Sequence, residues 1–479
     1  MLGGGAVGLA TANALLGAGA RVTSIYPGDA DVERPAASRA AGAMLGAIGE
    51  ITADDGAGDR TELDFRLAAQ RMYPEWLGEI FGRAGMKPLQ GIGTFVVANT
   101  ASAYDRESLK RMKVEAARVG EPAESVEPDD IPGLRPSPRY WPVGCLHLPN
   151  EHSVDGQQLL DALAASAQTY TGWQHVDDVA LSARRERDVW AVALRSGRTV
   201  CAPELVLCAG SRSFEVVDAD VRAEAGLPRM FFGKGVSCVL ADAPPMNQPI
   251  RTPNRAFACG VHVVPRANGH LYVGATNCPG IDHERARGVQ PGELHSLFDD
   301  TVHQVNVGIR ESRIVDIRVG YRPIVAGRRP IVGRTRVPGL SVGTGSYRNG
   351  VLMAPLMANI IAGDITGAPR AENPFDASAE PDTASIAELC EVGVRDIVSF
   401  LQEPRGALPY DRAEDLRRYV TTLFQMAVVD DEQVESLRSS VRRRLEEEPL
   451  NETMHALFYE LVERTETVTP ARAASRGAG

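Results

Sequence analysis

Apolar positions recur along this chain with two spacings, and each change of spacing marks an element. Leu9, Leu15 and Leu16, set among alanines, predict a helix that opens just after Gly8. A short strand, Arg21 to Tyr26, follows, and then the glycine/alanine segment "ASRAAGAMLGAIGEI". From Thr61 to Gly85 the spacing is again helical, with Phe65, Ala69, Met72, Trp76 and Ile80 on one side. Pro74 lies inside that pattern and predicts a kink or a break there, because it lacks the N–H of the helical ladder. Strand-like patterns cover Gly91 to Val97 and Cys145 to Leu148, and Asp155 is placed to cap the helix that follows.

Beyond residue 175 the alternation is mostly that of strands. "VDDVALSARRERDVWAVALRSGRTVCAPELVLCAGSRS" reads as a meander that ends in the buried run Leu205-Val206-Leu207-Cys208 and the small turn Ala209-Gly210-Ser211. Met230 to Thr276 is rich in strands, with a hairpin predicted at Ala267-Asn268-Gly269. "VGYRPIVAGRRPIVGRTRVPGLSVGTGSYRNGVLMAPLMANIIAGDI" gives strand, turn, strand and helix in close succession. After "FDASAEPDT" the style changes: residues 384–465 are charged, poor in glycine and helical in pattern. Residues 466–479 read as a disordered tail.

Composition narrows the function classes. A formal net charge of -11 argues against a nucleic-acid binder, which would need a basic face. Seven cysteines without paired or metal-like spacing read as reduced thiols, and the nine histidines do not cluster as metal ligands, so no metal site is expected. The apolar opening lacks the basic start of a signal peptide, and no stretch reaches the roughly 20 apolar residues of a membrane span. The cytoplasm is therefore the expected location, with no membrane partner.

Gly3, Gly5 and Gly8 spell G-x-G-x-x-G, the turn that sets a dinucleotide's pyrophosphate on a helix N-terminus. Only Met1 and Leu2 precede it, where a full buried strand is expected, so the natural start is expected a few residues upstream. Further glycine-rich turns close strands at 209–211 and 343–350, a distribution that suits a long cofactor. Arg322 follows a strand and is fixed by Pro323, while Arg348 lies in "GSYRNG". A guanidinium suits a planar carboxylate through two parallel hydrogen bonds, although many single arginines are surface residues. His262 and Cys259 sit on the strand leading to Pro265 and Arg266; such a histidine is either structural or catalytic.

Several of these motifs, in order, carry a resemblance: "GGGAVGLATANALLGAGARVT", "SRAAGAML", "MYPEWL", "KG" at 234–235, "VVPRANGHLYVGAT", "GYRPIVAGRRPIVG" and "GTGSYRNGVLMAP". From residue 3 to about residue 375 the chain resembles the D-amino-acid oxidase/glycine oxidase family of FAD-dependent amine oxidases. The resemblance implies an α/β (α+β) fold: a Rossmann-type FAD-binding domain interleaved with an antiparallel-sheet substrate domain, plus a C-terminal helical extension. The FAD-binding domain would comprise residues 1–50, 150–225 and 320–375, and the substrate domain residues 51–149 and 226–319. The extension would cover 384–465, where it could serve a homo-oligomer or a pathway partner.

The resemblance also implies roles. Gly3, Gly5, Ala6, Val7 and Gly8 would hold the FAD pyrophosphate. Ser38, Arg39, Ala40, Gly42, Ala43 and Met44 would run beside the flavin, and Val179 would meet the adenine. Ala209 and Gly210 would close the cofactor pocket, while Gly345, Tyr347, Arg348, Asn349, Gly350 and Val351 would form a second flavin loop. Arg322 would take the substrate carboxylate, with Arg348 and His262 as further catalytic candidates. A small amino acid or amine would pass hydride to the flavin, with O2 as acceptor and hydrogen peroxide as product.

Departures from the family pattern are expected to matter. Tyr26 replaces the acid that normally takes the ribose hydroxyls, leaving Asp29, Asp31 or Glu33 for that contact. His262 stands where glycine oxidases carry a substrate-contacting tyrosine, and Ser346 replaces a common histidine, so the pocket is not a copy of glycine oxidase. Two other readings stay open. One is a dehydrogenase or tailoring oxidase of an N-substituted or hydrazine-type amino acid; the other is a flavin-poor scaffold that uses its helical extension.

Overall fold

The computed structural model describes residues 1–379 apart from 29–35, 54–59, 100–102, 229, 255–258, 281, 285 and 326–328. The helical extension read at 384–465, the tail, and Asp29, Asp31 and Glu33 lie outside the described residues.

A mostly parallel sheet carries the N-terminal motif. The strand Val22–Ile25 pairs in parallel with Trp173–Val176, and Leu205–Leu207 pairs in parallel with Leu340–Thr344, which in turn pairs antiparallel with Ile331–Arg334. Leu2 joins the two halves, bridging in parallel to both Ile25 and Leu207. Its N–H donates to the Val206 carbonyl at 2.9 Å, and its own carbonyl accepts from Cys208 N at 2.8 Å. Met1 and Leu2 thus supply the strand pairing that leads into the glycine turn. The Met1 amine donates to the Thr23 carbonyl at 2.8 Å, and burial lowers its pKa to about 6.

Helices cover this sheet. Ala6–Gly17 follows the glycine turn and packs with Gly350–Thr366 and Gly156–Gln168 through Leu9, Ala10, Leu159, Leu163, Val351 and Leu352. Asp155 caps the last of these, accepting from Gln157 N and Gln158 N at 3.0 and 3.1 Å. The antiparallel meander Ala180–Glu186, Val189–Leu194 and Thr199–Ala202 buries Trp190 and Val192 beside Leu205 and Leu207.

The helix Thr61–Ala84 runs through Pro74 without interruption, so the expected break does not occur. Pro74 is exposed, and Gln70, whose carbonyl its missing N–H would have met, is partly exposed. The buried side, with Phe65, Ala69, Tyr73, Leu77 and Ile80, holds the element together.

A second, nine-stranded mixed sheet is built around Met230–Ala241, which pairs antiparallel along its whole length with Arg313–Val325. The hairpin His262–Pro265/Leu271–Gly274 turns at Asn268 and Gly269, both in the left-handed region with φ 60° and 73°. That is the chemistry expected of an Asn-Gly turn. Among the described residues no helix is long and apolar enough to cross a membrane.

Candidate active site

A cleft of about 530 Å³ separates the parallel sheet from the paired strands Met230–Ala241 and Arg313–Val325. Its floor is the glycine turn. A Cβ at Gly3, whose φ is 116°, would run into the Cys208 carbonyl, and one at Gly8 would run into the Gly3 carbonyl. Only glycine permits this approach, which lets the backbone rather than side chains face the cleft. The helix Ala6–Gly17 starts there with Gly5 as its cap and no side-chain cap bond, so its partial positive end opens on the cleft. That suits the pyrophosphate of a dinucleotide such as FAD.

Along one wall runs the segment 36–44. Tyr272 Oη and Ser237 Oγ both donate to the Ala40 carbonyl, at 2.8 and 2.9 Å, and Arg266 Nη2 donates to the Gly42 carbonyl at 3.0 Å. Ser38 Oγ accepts from Ala6 N at 3.0 Å, tying this segment to the helix start. Ala43 adopts φ 50°, and its carbonyl accepts from Val154 N. The segment is therefore fixed by the second sheet, by the helix start at Ala6 and by the strand His152–Val154.

Most of the expected cofactor residues meet at this cleft: Gly3, Gly5, Ala6, Val7, Ser38, Arg39, Ala40, Val179, Ala209, Gly210, Tyr347, Arg348, Gly350 and Val351 all line it, with Arg322. Others stand behind the wall. Gly8 packs against Gly3 and Cys208, Gly42 lies under the His262 and Tyr272 rings, and Met44 sits in the strand Met44–Leu45. Gly345 turns with φ 76° against Val325, and Asn349 caps Gly350–Thr366. Tyr26, noted for the acid it replaces, and Ser211, the end of the small turn, also line the cleft, as does Arg212, which the sequence did not single out. Tyr26 stacks on His175 at 4.1 Å between ring centroids, and its ring fills the space beside Gly4.

The two candidate arginines have different surroundings. Arg322 extends from Arg313–Val325 opposite Gly233. Its Nη1 donates to the Thr276 carbonyl at 3.0 Å and to Asn277 Oδ1 at 2.9 Å, and no carboxylate among the described residues pairs with it. A Cβ at Gly235 would occupy the place of the guanidinium. The "KG" pair is thereby explained in part: Gly235 makes room for Arg322, while buried Lys234 meets Glu293 at 2.8 Å.

Arg348 is instead committed to a carboxylate. Its Nε lies 3.3 Å from Glu50 Oε2, and its guanidinium lies over the Tyr347 ring at 4.9 Å. Glu50 also meets Arg251 Nη1 at 2.7 Å and accepts from Asn254 Nδ2 at 3.0 Å. Burial pushes the Glu50 carboxyl up, but the Arg251 and Arg348 guanidiniums outweigh it and hold the pKa at about 2. Glu151 stands behind Glu50, fully buried, accepting from Ile48 N at 2.5 Å and Gly49 N at 3.0 Å. Burial raises its pKa to about 7. Neither acid was singled out from the sequence: each is a lone carboxylate in an unremarkable context, and only the fold brings it beside buried guanidiniums.

His262 lies beside Gly42 and stacks on Tyr272 at 5.6 Å. Its Nδ1 faces the Gly260 carbonyl at 3.1 Å, which assigns the ring proton to that nitrogen. Burial and the nearby Arg251 lower its pKa to about 4, so the ring is neutral near pH 7.

A family model described as FAD dependent oxidoreductase (DAO) matches residues 2–363. The chain is 26% identical over 366 residues to the bifunctional protein ThiO/ThiG of Nostoc sp., covering 76% of this chain and 51% of that one. It is 26% identical over 370 residues to the glycine oxidase of Bacillus licheniformis, covering 77% and 93%. The chain thus spans about half the length of the first relative and nearly all of the second. The crystal structure of glycine oxidase from Geobacillus kaustophilus superimposes with a TM-score of 0.66 at 23% identity, covering 80% of this chain and 98% of that one. That of iminodiacetate oxidase from Chelativorans sp. BNC1 gives 0.64 at 20% identity, covering 80% and 99%.

Proposed function

Because the chain belongs to the DAO family of FAD-dependent oxidoreductases, we propose that it oxidises a small amino acid or amine bearing a carboxylate, with O2 as electron acceptor. The observation that carries this reading is Arg322: a cleft-lining guanidinium with one nitrogen anchored and no carboxylate partner among the described residues. A fork of this kind takes a planar carboxylate through paired hydrogen bonds.

The cofactor fits the cleft through the glycine turn, the open helix start and the fixed 36–44 segment, whose residues would hold its pyrophosphate and flank its ring. FAD supplies the hydride-accepting chemistry when bound. This chain's residues do the rest. Arg322 anchors the carboxylate, so the α C–H is presented in one orientation. His262, neutral and with its proton on Nδ1, packs against Gly42 without adding positive charge there. Arg348, held by Glu50, shapes the wall rather than taking the carboxylate.

Glycine and its N-substituted derivatives are the first substrates to test, since the relatives include proteins named glycine oxidase. The experiment is anaerobic addition of glycine to the purified holoprotein while the visible flavin spectrum is recorded. Bleaching supports an amine-oxidising site. An unchanged spectrum with glycine and sarcosine excludes this substrate class. Readmitting air and assaying hydrogen peroxide then tests O2 as acceptor against a dehydrogenase.

A further inference from the structure

One side chain links two cleft-lining residues without lining the cleft itself. Asn277 precedes the strand Cys278–Gly280, which pairs with Met230–Ala241 at Phe232, Gly233 and Lys234. Its Oδ1 accepts from Arg322 Nη1 at 2.9 Å, and its Nδ2 donates to Tyr347 Oη at 2.5 Å. The orientation of the amide follows from chemistry: a guanidinium only donates, so the oxygen must face Arg322 and the nitrogen must face the phenol. A Cβ at Gly233 would displace Asn277 Oδ1, just as one at Gly235 would displace the Arg322 guanidinium. Gly233 and Gly235, two residues apart on the same face of one strand, therefore clear a slot for this pair.

We infer that Asn277 is a positioning residue for substrate binding, holding the Arg322 guanidinium at a fixed angle to the cleft and coupling it to the Tyr347 ring. The inference rests on the Arg322 reading above. Arg322 Nη1 has two anchors, the Thr276 carbonyl and Asn277 Oδ1, and only the second is a side chain that substitution can remove. Tyr347 adopts φ 45°, a left-handed conformation disfavoured for a residue with a Cβ. The Asn277 bond, together with Tyr347 N donating to the Pro323 carbonyl, holds the ring in that place. A single amide thus sets the guanidinium and the aromatic ring relative to each other, which defines the shape of acid the site accepts.

The test uses the full-length holoprotein and acetate as probe, with binding read from the perturbation of the visible flavin spectrum. N277L, which keeps the volume and removes both hydrogen bonds, is expected to weaken acetate binding about tenfold. N277D keeps an acceptor toward Arg322 but supplies a competing carboxylate; it is expected to weaken binding further while leaving the melting temperature unchanged or higher. A cycle with R322K separates positioning from structure. A lysine is a point charge without a fork to orient, so N277L should have little further effect in that background. Acetate affinity unchanged in N277L and N277D, or a tenfold loss from N277L that persists in the R322K background, overturns the inference. Unchanged acetate affinity in R322A would instead overturn the Arg322 reading, and that outcome is separately visible.

Discussion

Glu50 decides which arginine is available for an acid. By holding Arg251 and Arg348 it leaves Arg322 as the candidate guanidinium that pairs with no carboxylate among the described residues; the resemblance had named Arg322, not Arg348, for the substrate carboxylate. R322A should therefore lower kcat/KM for a carboxylate substrate by an amount equivalent to ~2–5 kcal/mol, while R348A acts mainly on stability. Steady-state kinetics beside urea unfolding of both variants distinguishes these outcomes. E50Q leaves two buried guanidiniums without their carboxylate and should cost about 3–5 kcal/mol in urea unfolding. The two buried acids act in different pH windows. Glu50, with a pKa lowered to about 2, contributes stability that is present above its ordinary value of 4.5 and lost as pH falls toward 2. Glu151 has the opposite sign. Its pKa is raised to about 7, so between 4.5 and 7 the unfolded chain releases a proton that the folded protein retains, and stability falls as pH rises. The loss across that window is up to roughly 3 kcal/mol. E151Q should flatten this dependence in denaturation series at pH 5, 6, 7 and 8; a parent protein equally stable across that range would contradict it.

Among the elements, the strand Met230–Ala241 shapes the site most directly, because what it omits is as specific as what it contributes. Its residues at 233 and 235 carry no side chain, and the space goes to Asn277 and Arg322. G235A should thus displace the guanidinium and weaken acetate binding with little loss of bound flavin, since Gly235 meets Arg322 rather than the glycine turn. Flavin content and acetate titration on one sample check this. The elements themselves were largely legible. The Asp155 cap, the Asn268-Gly269 turn and the meander before Leu205 follow from local chemistry, and each appears where its residues predict it. Pro74 shows where local reading fails. Its expected break is overridden because Pro74 lies on the exposed side of the helix, while the apolar face stays packed. D155A should remove the cap from Gly156–Gln168 and also take a carboxylate from Arg266, whose Nε lies 3.2 Å from Asp155 Oδ2. The cap alone is worth ~1 kcal/mol, and the measured loss in urea should exceed that.

At the scale of the molecule, the cleft exists only because two sheets meet, and that explains what the sequence could and could not reveal. The glycine turn, the 36–44 segment, Ala209-Gly210 and the 345–351 loop were recognisable as motifs, since each must satisfy a strict backbone requirement. Glu50, Glu151 and Asn277 were not. Their importance lies in contacts with residues 45 to more than 200 positions away, such as Asn277 with Arg322 and Tyr347 and Glu50 with Arg251. The same architecture has a thermodynamic consequence. A cofactor bound in the cleft would touch both sheets at once and so would stabilise the folded arrangement of both relative to the unfolded chain. By linkage, free FAD at 100 times its dissociation constant should add ~2.7 kcal/mol to the stability of the folded protein. The gain should follow the logarithm of FAD concentration, and the whole described fold should melt in one transition that moves upward together. Differential scanning calorimetry of apoprotein over a series of FAD concentrations measures this. Two transitions, of which only one responds to FAD, would show that the sheets unfold separately and that the cofactor is held by the parallel sheet alone.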